Sequence, residues 1–288
     1  MEQDKMHIQW YPGHMTKTRR QIEADLKLVD AICEIVDARI PISSRNPDID
    51  SICGNKPRII ILNRMDLADP EATKKWMAYF RSRGIAAVAT DCKSRRGIGD
   101  FQPAVRSVLK EKLERNAARG MNKPLRVMIV GIPNVGKSTL INQISGRKGA
   151  KAENRPGVTR GKQWVTVDSG LLLLDTPGIL WPKFEDPEVG MMLAYTGAVK
   201  EDIIDIEELA CRLMVLLATR YPQVLIDRYG VEIPEEINGY DLLLITGKKR
   251  GFLMARGEIN TERMARVLLD DYRAGKLGRL TMELPEGL

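Results

Sequence analysis

A glycine-rich loop between a predicted strand and a predicted helix constrains this chain most. Residues 131–139 read GIPNVGKST, which fits the pattern G-x-x-x-x-G-K-[ST], and they follow an apolar run at 126–130. Glycines let main-chain N–H groups curl around phosphates, and a helix N-terminus adds positive potential there. The sequence therefore predicts a nucleotide phosphate site in which Lys137 reaches the β- and γ-phosphates and Ser138 binds Mg²⁺. The loop residues expected at the nucleotide are Asn134, Val135, Gly136, Lys137, Ser138 and Thr139.

Two later motifs extend this site. Asp175 ends an apolar run and opens the sequence Asp-Thr-Pro-Gly, so its carboxylate can hold the metal through water and the N–H of Gly178 can contact the γ-phosphate. Thr159 lies between the two motifs in a glycine- and proline-rich stretch, and it can supply a second hydroxyl to Mg²⁺ when the γ-phosphate is present. Each motif alone is typical of an ordinary turn, but together and in this order they indicate a nucleotide switch.

A base-reading motif follows the predicted strand at 58–62. Asn63, Arg64, Met65 and Asp66 occupy the positions of the N-K-x-D loop of GTPases. The Asp66 carboxylate can accept two hydrogen bonds from guanine, whereas adenine would leave it unpaired. Asn63 is expected to brace neighbouring loops, and the aliphatic stem of Arg64 to lie along the base. The alternative is an asparagine-capped turn before a helix.

A second base-contacting loop is expected after the predicted strand at 85–89. Asp91 and Cys92 occupy that place, although the usual serine-alanine signature is missing. The base-reading motif at 63–66 also stands ahead of the phosphate loop, whereas in a common GTPase it follows. Because all these loops lie at the carboxyl edge of one sheet, rejoining the chain elsewhere keeps the site intact.

The order and content of these motifs resemble the circularly permuted GTPases, and most closely the ribosome biogenesis GTPase A family of bacteria. The resemblance rests on WYPGHM at 10–15, DARIP at 37–41, NRMD at 63–66, the phosphate loop, PGVT at 156–159 and DTPG at 175–178. It implies binding of GTP and GDP, hydrolysis of GTP, and action late in assembly of the large ribosomal subunit. The implied partner is the large-subunit precursor, with its rRNA and ribosomal proteins.

Strands alternate with helices up to about residue 181, which predicts an α/β fold with a parallel, helix-covered sheet. With the motif order, this is a P-loop GTPase sheet in circularly permuted order. Helices are predicted at 16–29 and 101–119, and from residue 201 onward the pattern is mainly helical. We therefore predict a GTPase domain over residues 1–182, a linker at 183–200, and a helical C-terminal domain at 201–288 that binds RNA or the ribosome.

The formal net charge of +7 is compatible with a nucleic-acid partner, an anionic membrane surface or simply a solvated basic surface. Basic residues cluster on the last predicted helix and its flank, in a turn at 248–250, and in the stretch 148–162. On the last helix they are Arg263, Arg266 and Arg273, followed by Lys276 and Arg279. Helical basic faces suit phosphate-backbone contacts. Each cluster can equally be a solvated face, and Asp270 and Asp271 weaken the interpretation.

The four cysteines are far apart and the chain has two histidines, so a zinc site is not expected. The first residues lack the apolar core of a secretory signal, and the apolar runs are far too short to span a bilayer. We expect reduced thiols, a cytoplasmic location, no membrane attachment and a monomer.

Catalysis is the last prediction. Ile179 follows Gly178, where many GTPases carry a glutamine, so hydrolysis is expected to be slow alone and stimulated by ribosomal particles. An alternative is a nucleotide-gated RNA- or ribosome-binding scaffold with negligible hydrolysis. His14 is the candidate to orient or deprotonate water, and its alternatives are a helix cap, packing beside Trp10, or an RNA contact. The predicted catalytic residues are His14, Lys137 and Thr159, and a carbonyl oxygen of Asn134 is a candidate K⁺ ligand.

Overall fold

The computed structural model describes residues 20, 22–146, 163–168, 170–178, 186–199, 205–255 and 257–285. The chain divides into two compact units. The first unit contains the described residues between 20 and 178 together with 281–285, and the second contains those between 186 and 280.

A six-stranded sheet forms the centre of the first unit, in the order β3-β2-β1-β4-β6-β5. The strands are β1 (Ala31–Asp37), β2 (Arg58–Asn63), β3 (Ala86–Ala89), β4 (Leu125–Gly131), β5 (Gln163–Asp168) and β6 (Leu171–Asp175). Neighbouring strands are parallel except for the antiparallel pair β5–β6 at the edge. Every residue of β1 is buried, as a central strand covered on both faces requires. The predicted α/β sheet is confirmed, with one antiparallel edge strand.

The strand register brings the predicted motifs to one edge of the sheet. Asp37 at the end of β1 pairs with Asn63 at the end of β2. Gly131 at the end of β4 pairs with Ile35, and Asp175 at the end of β6 pairs with Ile129. Because parallel strands end on the same side, the loops after β1, β2, β3, β4 and β6 share the carboxyl edge, which we call the nucleotide edge.

Short helices connect the strands of the first unit. They are α1 (Asp48–Cys53), α2 (Pro70–Ser82), α3 (Phe101–Val108), α4 (Lys110–Ala118) and α5 (Lys137–Ser145), and residues 22–25 are helical ahead of a 3₁₀ turn at Leu26–Leu28. The sequence dictates the start of α2, because the Asp69 side chain accepts a hydrogen bond from Ala72 N at 2.7 Å and proline occupies the first helical position. The apolar face of α2 buries Trp76 and Phe80 against the sheet.

Residues 281–283 run along the first unit, and we call them the C-terminal strap. The Glu283 carboxylate accepts hydrogen bonds from Ile42 N at 2.6 Å and from Ser43 N at 3.0 Å. The indole N–H of Trp76 donates to Glu283 O at 2.9 Å, and Met282 N donates to Arg39 O at 2.8 Å. The sequence had placed these residues with the C-terminal domain, whereas the structure groups the described residues 281–285 with the first unit.

Helices make up most of the second unit. They are α6 (Pro187–Tyr195), α7 (Ile206–Arg220), α8 (Pro222–Tyr229), α9 (Gly239–Lys249) and α10 (Thr261–Arg273). The Asp205 side chain caps α7 by accepting from Glu208 N at 3.0 Å, as its sequence predicts. Leu209, Leu213 and Leu217 of α7 are fully buried, with α9 and α10 packed against this helix. Helix α6 lies inside the segment that the sequence had assigned to a linker at 183–200.

Among the described residues, no single helix has the length and apolar character needed to cross a membrane, and α7 with α8 meets these criteria only as a pair bent by 111°.

Candidate functional site

The phosphate loop has the predicted strand–loop–helix context. Strand β4 ends at Gly131 and α5 begins at Lys137. Gly136 caps α5 with a φ of 106°, and a Cβ at this position would lie 2.4 Å from Asn63 Nδ2. Only glycine therefore lets the loop approach Asn63 this closely.

Lys137 lies nearly buried at the start of α5. Its Nζ donates to the carbonyl oxygens of Gly131 at 3.0 Å and Ile132 at 3.1 Å, so the side chain folds back over its own loop. Burial lowers the pKa of Lys137 to about 8, and the nearby charge of Asp175 opposes that shift. A Cβ on Gly178 would lie 2.9 Å from Lys137 Nζ, so the two motifs meet at this ammonium group. A phosphate group beside Lys137 would favour its charged form.

Asp175 has the properties of a metal-binding carboxylate. Its Oδ1 is buried and has no hydrogen-bond partner among the described residues. Burial raises the pKa of Asp175, against the opposing charge of Lys137. The next residue is anchored, because Thr176 Oγ1 donates to Ile129 O at 2.7 Å. With the half-buried hydroxyl side chain of Ser138 at the start of α5, this oxygen set suits Mg²⁺.

Asn63 connects three loops at the nucleotide edge. Its Nδ2 donates to Val135 O in the phosphate loop at 2.8 Å. Its Oδ1 accepts from Thr90 Oγ1 and from Cys92 N, both at 3.2 Å. The bracing role that the sequence predicts for Asn63 is therefore present in the structure.

Arg64 lies in the left-handed region with a φ of 62°. One terminal nitrogen donates to Asn134 O in the phosphate loop at 2.6 Å, and the other donates to Asp37 Oδ2 at 3.2 Å. The sequence predicted only that its stem lies along the base. The structure adds a second role, because the guanidinium group bridges the end of β1 and the phosphate loop.

Similar proteins agree on one family. A family model described as a 50S ribosome-binding GTPase matches residues 126–238. Ribosome biogenesis GTPase A of Priestia megaterium is 48% identical over 283 residues, which cover 97% of this chain and 98% of that protein. The same-named protein of Bacillus licheniformis is 50% identical over 285 residues, with coverage of 98% and 100%. The chain belongs to the ribosome biogenesis GTPase A family.

Solved structures support this family assignment. A GDP-bound structure of TM YlqF is 29% identical with a TM-score of 0.64, covering 93% of this chain and all of that one. A GNP-bound YlqF from T. maritima is 29% identical with a TM-score of 0.63, covering 94% of this chain and all of that one. The chain is thus a GTP-hydrolysing enzyme of ribosome biogenesis, and its fold is that of a circularly permuted GTPase.

The loop after β3 contains Asp91 in a network of hydrogen bonds. Its carboxylate accepts from Lys93 N at 3.0 Å and from Ser94 N at 3.1 Å, and it also pairs with the Ser94 hydroxyl and Arg96. Burial alone would raise the pKa of Asp91, but these hydrogen bonds hold it below its ordinary value. Asp91 therefore organises its own loop. Cys92 is buried, and its N–H supports Asn63.

Met65 and Asp66 of the base-reading motif are half-buried. Among the described residues, no hydrogen bond or ion pair engages the Asp66 carboxylate, which separates it from the multiply paired Asn63 and Arg64. His14, Thr159 and the basic stretch 148–162 lie outside the described residues.

The basic face predicted on α10 is smaller than expected. Arg273 is half-buried and caps α6, since it donates to Tyr195 O at 3.0 Å and to Ala194 O at 2.8 Å. Lys276 pairs with Asp271 at 3.2 Å, and Arg266 pairs with Glu262 at 2.8 Å. Within the described part of the second unit, the exposed cationic side chains at predicted positions are Lys248, Lys249, Arg250, Arg263, Arg266, Lys276 and Arg279. The error for Arg273 arises because helical spacing identifies a face and not its neighbour.

The sequence did not predict a role for several residues at or near the site. Asp37 and Arg39 belong to the DARIP segment, which supported the resemblance but received no role. Thr90 and Glu283 were not singled out, because a hydroxyl or carboxylate outside a motif has no distinguishing spacing. The signal for Asp37 was its place at the end of a buried apolar strand beside β2.

Proposed function

We propose that this GTPase acts in a late step of large (50S) ribosomal subunit assembly and binds the subunit precursor in its GTP form. The observation that best supports this proposal is the position of Gly178, which lies against Lys137 at the nucleotide edge. The second unit follows a few residues later in the chain. The loop at Gly178, which is proposed to contact the γ-phosphate, therefore also connects the two units in the chain. Its conformations with and without the γ-phosphate can favour different positions of the helical unit. The family model's description as ribosome-binding supports the choice of partner.

The nucleotide roles form part of this proposal. Asp66 reads guanine, and Lys137 holds the β- and γ-phosphates of GTP. Ser138, Thr159 and Asp175 would hold Mg²⁺, which supplies positive charge to the phosphate oxygens when bound. The buried, unpaired Oδ1 of Asp175 supports this set. His14 is proposed to act on the attacking water.

We further propose that K⁺ supports hydrolysis through Asn134. This residue lies exposed in the phosphate loop, and its φ of 59° places it in the left-handed region. Its main-chain carbonyl accepts a hydrogen bond from Arg64. A cation there would supply charge where other GTPases use an arginine finger. Equal hydrolysis rates in KCl and NaCl would remove this proposal.

The proposed ribosomal contact uses the exposed cations of the second unit. Residues 248–250 follow one another at the end of α9, and all three are exposed. Arg263 lies over the Phe252 ring with 4.4 Å from its guanidinium carbon to the ring centroid, which holds that cation beside the same turn. Such a surface suits rRNA phosphates rather than base edges. We also propose that the protein is cytoplasmic and monomeric, and its family membership supports the cytoplasmic location.

The test is co-sedimentation with large-subunit precursors in GTP, GDP or a non-hydrolysable GTP analogue. We expect binding with GTP and the analogue, weak binding with GDP, and a steep fall with salt because phosphate contacts release counterions. Lys248→Ala with Lys249→Ala should flatten the salt dependence, while Lys74→Ala, an exposed lysine of α2, should not. Binding that ignores the nucleotide would contradict the proposed switch and favour a scaffold.

A further inference from the structure

The loop after β1 contains a buried charge cluster that the proposed roles do not use. Asp37 is 3% exposed, and its carboxylate accepts from Arg39 N at 3.0 Å, Arg39 Nε at 3.0 Å and a terminal nitrogen of Arg39 at 2.8 Å. Arg64 adds a further hydrogen bond at 3.2 Å. Burial would raise the pKa of Asp37, but the two guanidinium groups hold it below its usual value. Asp37 is therefore a fixed anion at the nucleotide edge.

Arg64 carries this charge contact across to the phosphate loop. Its guanidinium group is a rigid planar fork, so two of its nitrogens can bind two acceptors in a set geometry. One acceptor is Asp37, and the other is the carbonyl of Asn134, which lies in the left-handed region. The Arg64 main chain begins the base-reading loop. One side chain thus links the loop predicted to hold the base with the loop predicted to hold the phosphates.

We propose that Asp37 is a positioning residue for nucleotide binding. Its carboxylate fixes the Arg64 guanidinium group, which holds the phosphate loop at Asn134 in register with the base-reading loop. Arg39 keeps the carboxylate oriented through three of its nitrogen atoms. The inference rests on the proposed nucleotide roles of the two loops. Loss of the contact would leave the hydrogen bond from Asn63 to Val135 O to hold the two loops together, and the weaker connection would speed nucleotide release.

A purely structural role predicts a different result, and the chain offers a matched ion pair to separate the two. Arg228 and Asp271 of the second unit pair at 2.9 Å, with side chains 31% and 3% exposed. Arg64 and Asp37 pair at 3.2 Å, with side chains 29% and 4% exposed. Removing either arginine leaves a comparable buried carboxylate. Of these two arginines, Arg64 contacts the phosphate loop and Arg228 belongs to the other unit.

The experiment measures release of fluorescent N-methylanthraniloyl-GDP from the full chain by stopped flow, with thermal unfolding recorded for each variant. We expect Arg64→Ala and Asp37→Asn each to speed release about tenfold, a typical effect of losing one charged hydrogen bond. The double variant should release no faster than Arg64→Ala, because both changes break one connection. Arg228→Ala should lower the unfolding temperature comparably and leave release unchanged.

Asp37→Glu keeps the fold testable if Asp37→Asn is unstable. It retains an anion beside Arg39 but moves the carboxylate by one methylene from Arg64, so release should again be faster than in the wild type. Wild-type release from Arg64→Ala or Asp37→Glu, or additive effects in the double variant, would overturn the proposal. Wild-type protein that binds no GDP would instead count against the nucleotide roles themselves.

Discussion

Two polar side chains at the nucleotide edge each bind more than one loop. Asn63 uses both ends of its amide, and Arg64 uses two nitrogens of its fork. A buried polar group left unpaired costs about 1–3 kcal/mol, so these pairings hold the loops in one arrangement. Asp66 differs, because its half-buried carboxylate is not engaged by hydrogen bonds within the described residues. That difference agrees with the proposal that Asp66 accepts hydrogen bonds from the base.

Asp66→Asn should therefore change the preferred base. The amide offers a donor where xanthine has a carbonyl, so GTP affinity should fall by roughly a hundredfold, for two lost hydrogen bonds to a charged group, while xanthosine triphosphate gains. Competition of GTP, xanthosine triphosphate and ATP for the bound fluorescent nucleotide measures the change. Asp100→Asn, at an exposed carboxylate of the same unit, serves as the control. Equal binding of ATP and GTP by the wild type would show that residues 63–66 do not read the base.

Elements with a local signal were predictable, and those fixed by distant partners were not. The apolar run of β1 and the phosphate loop are readable because each carries its pattern within a few residues. The predicted helix at 101–119 is instead broken at Leu109, where the backbone has a φ of −107° and a ψ of 17°. The strap was missed because Glu283 contacts residues 240 positions earlier, with no repeat or spacing to indicate it.

The strap should stabilise the first unit through its carboxylate. Glu283→Ala leaves the N–H groups of Ile42 and Ser43 without this acceptor, so unfolding should become easier by about 1–2 kcal/mol. Urea unfolding followed by tryptophan fluorescence measures this, because Trp76 and Trp164, the tryptophans among the described residues, lie in the first unit. Glu262→Ala removes an exposed ion pair with Arg266 in the second unit and should change little. An unchanged unfolding midpoint for Glu283→Ala would show that the strap is only loosely bound.

Circular permutation changes the order in which the chain connects the strands, but it keeps the loops together at the nucleotide edge. Strand β1 lies between β2 and β4, so the loops that follow these three strands are neighbours in space. The chain leaves the first unit after Gly178 and returns at Thr281, so the helical unit is tied to it at both ends. The first tie was predictable from motif order. The return was not, because it depends on pairing across the length of the chain.

The same permutation supports a catalytic role for His14. Residues 22–25 are helical and lead into β1, and β1 pairs with the strand that feeds the phosphate loop. A helix that precedes a strand of a parallel sheet runs opposite to it, so such a helix begins at the carboxyl edge of the sheet. His14 comes shortly before these residues in the sequence. We therefore expect the N-terminal segment to approach the γ-phosphate when the protein is bound to its ribosomal partner.

His14→Ala should reduce subunit-stimulated GTP turnover by about 10²–10⁴-fold, the usual contribution of a positioned general base. GTP affinity and subunit binding, measured separately, should stay at wild-type values, because the imidazole acts on water and not on the nucleotide's base or phosphates. The chain has one other histidine, so His7→Ala is the matched control and should retain stimulated turnover. Basal turnover without subunits should differ little between the variants, since slow hydrolysis alone is expected when the histidine is not in place. If stimulated turnover of His14→Ala survives, or falls only in step with subunit binding, the residue caps the helix or contacts RNA instead.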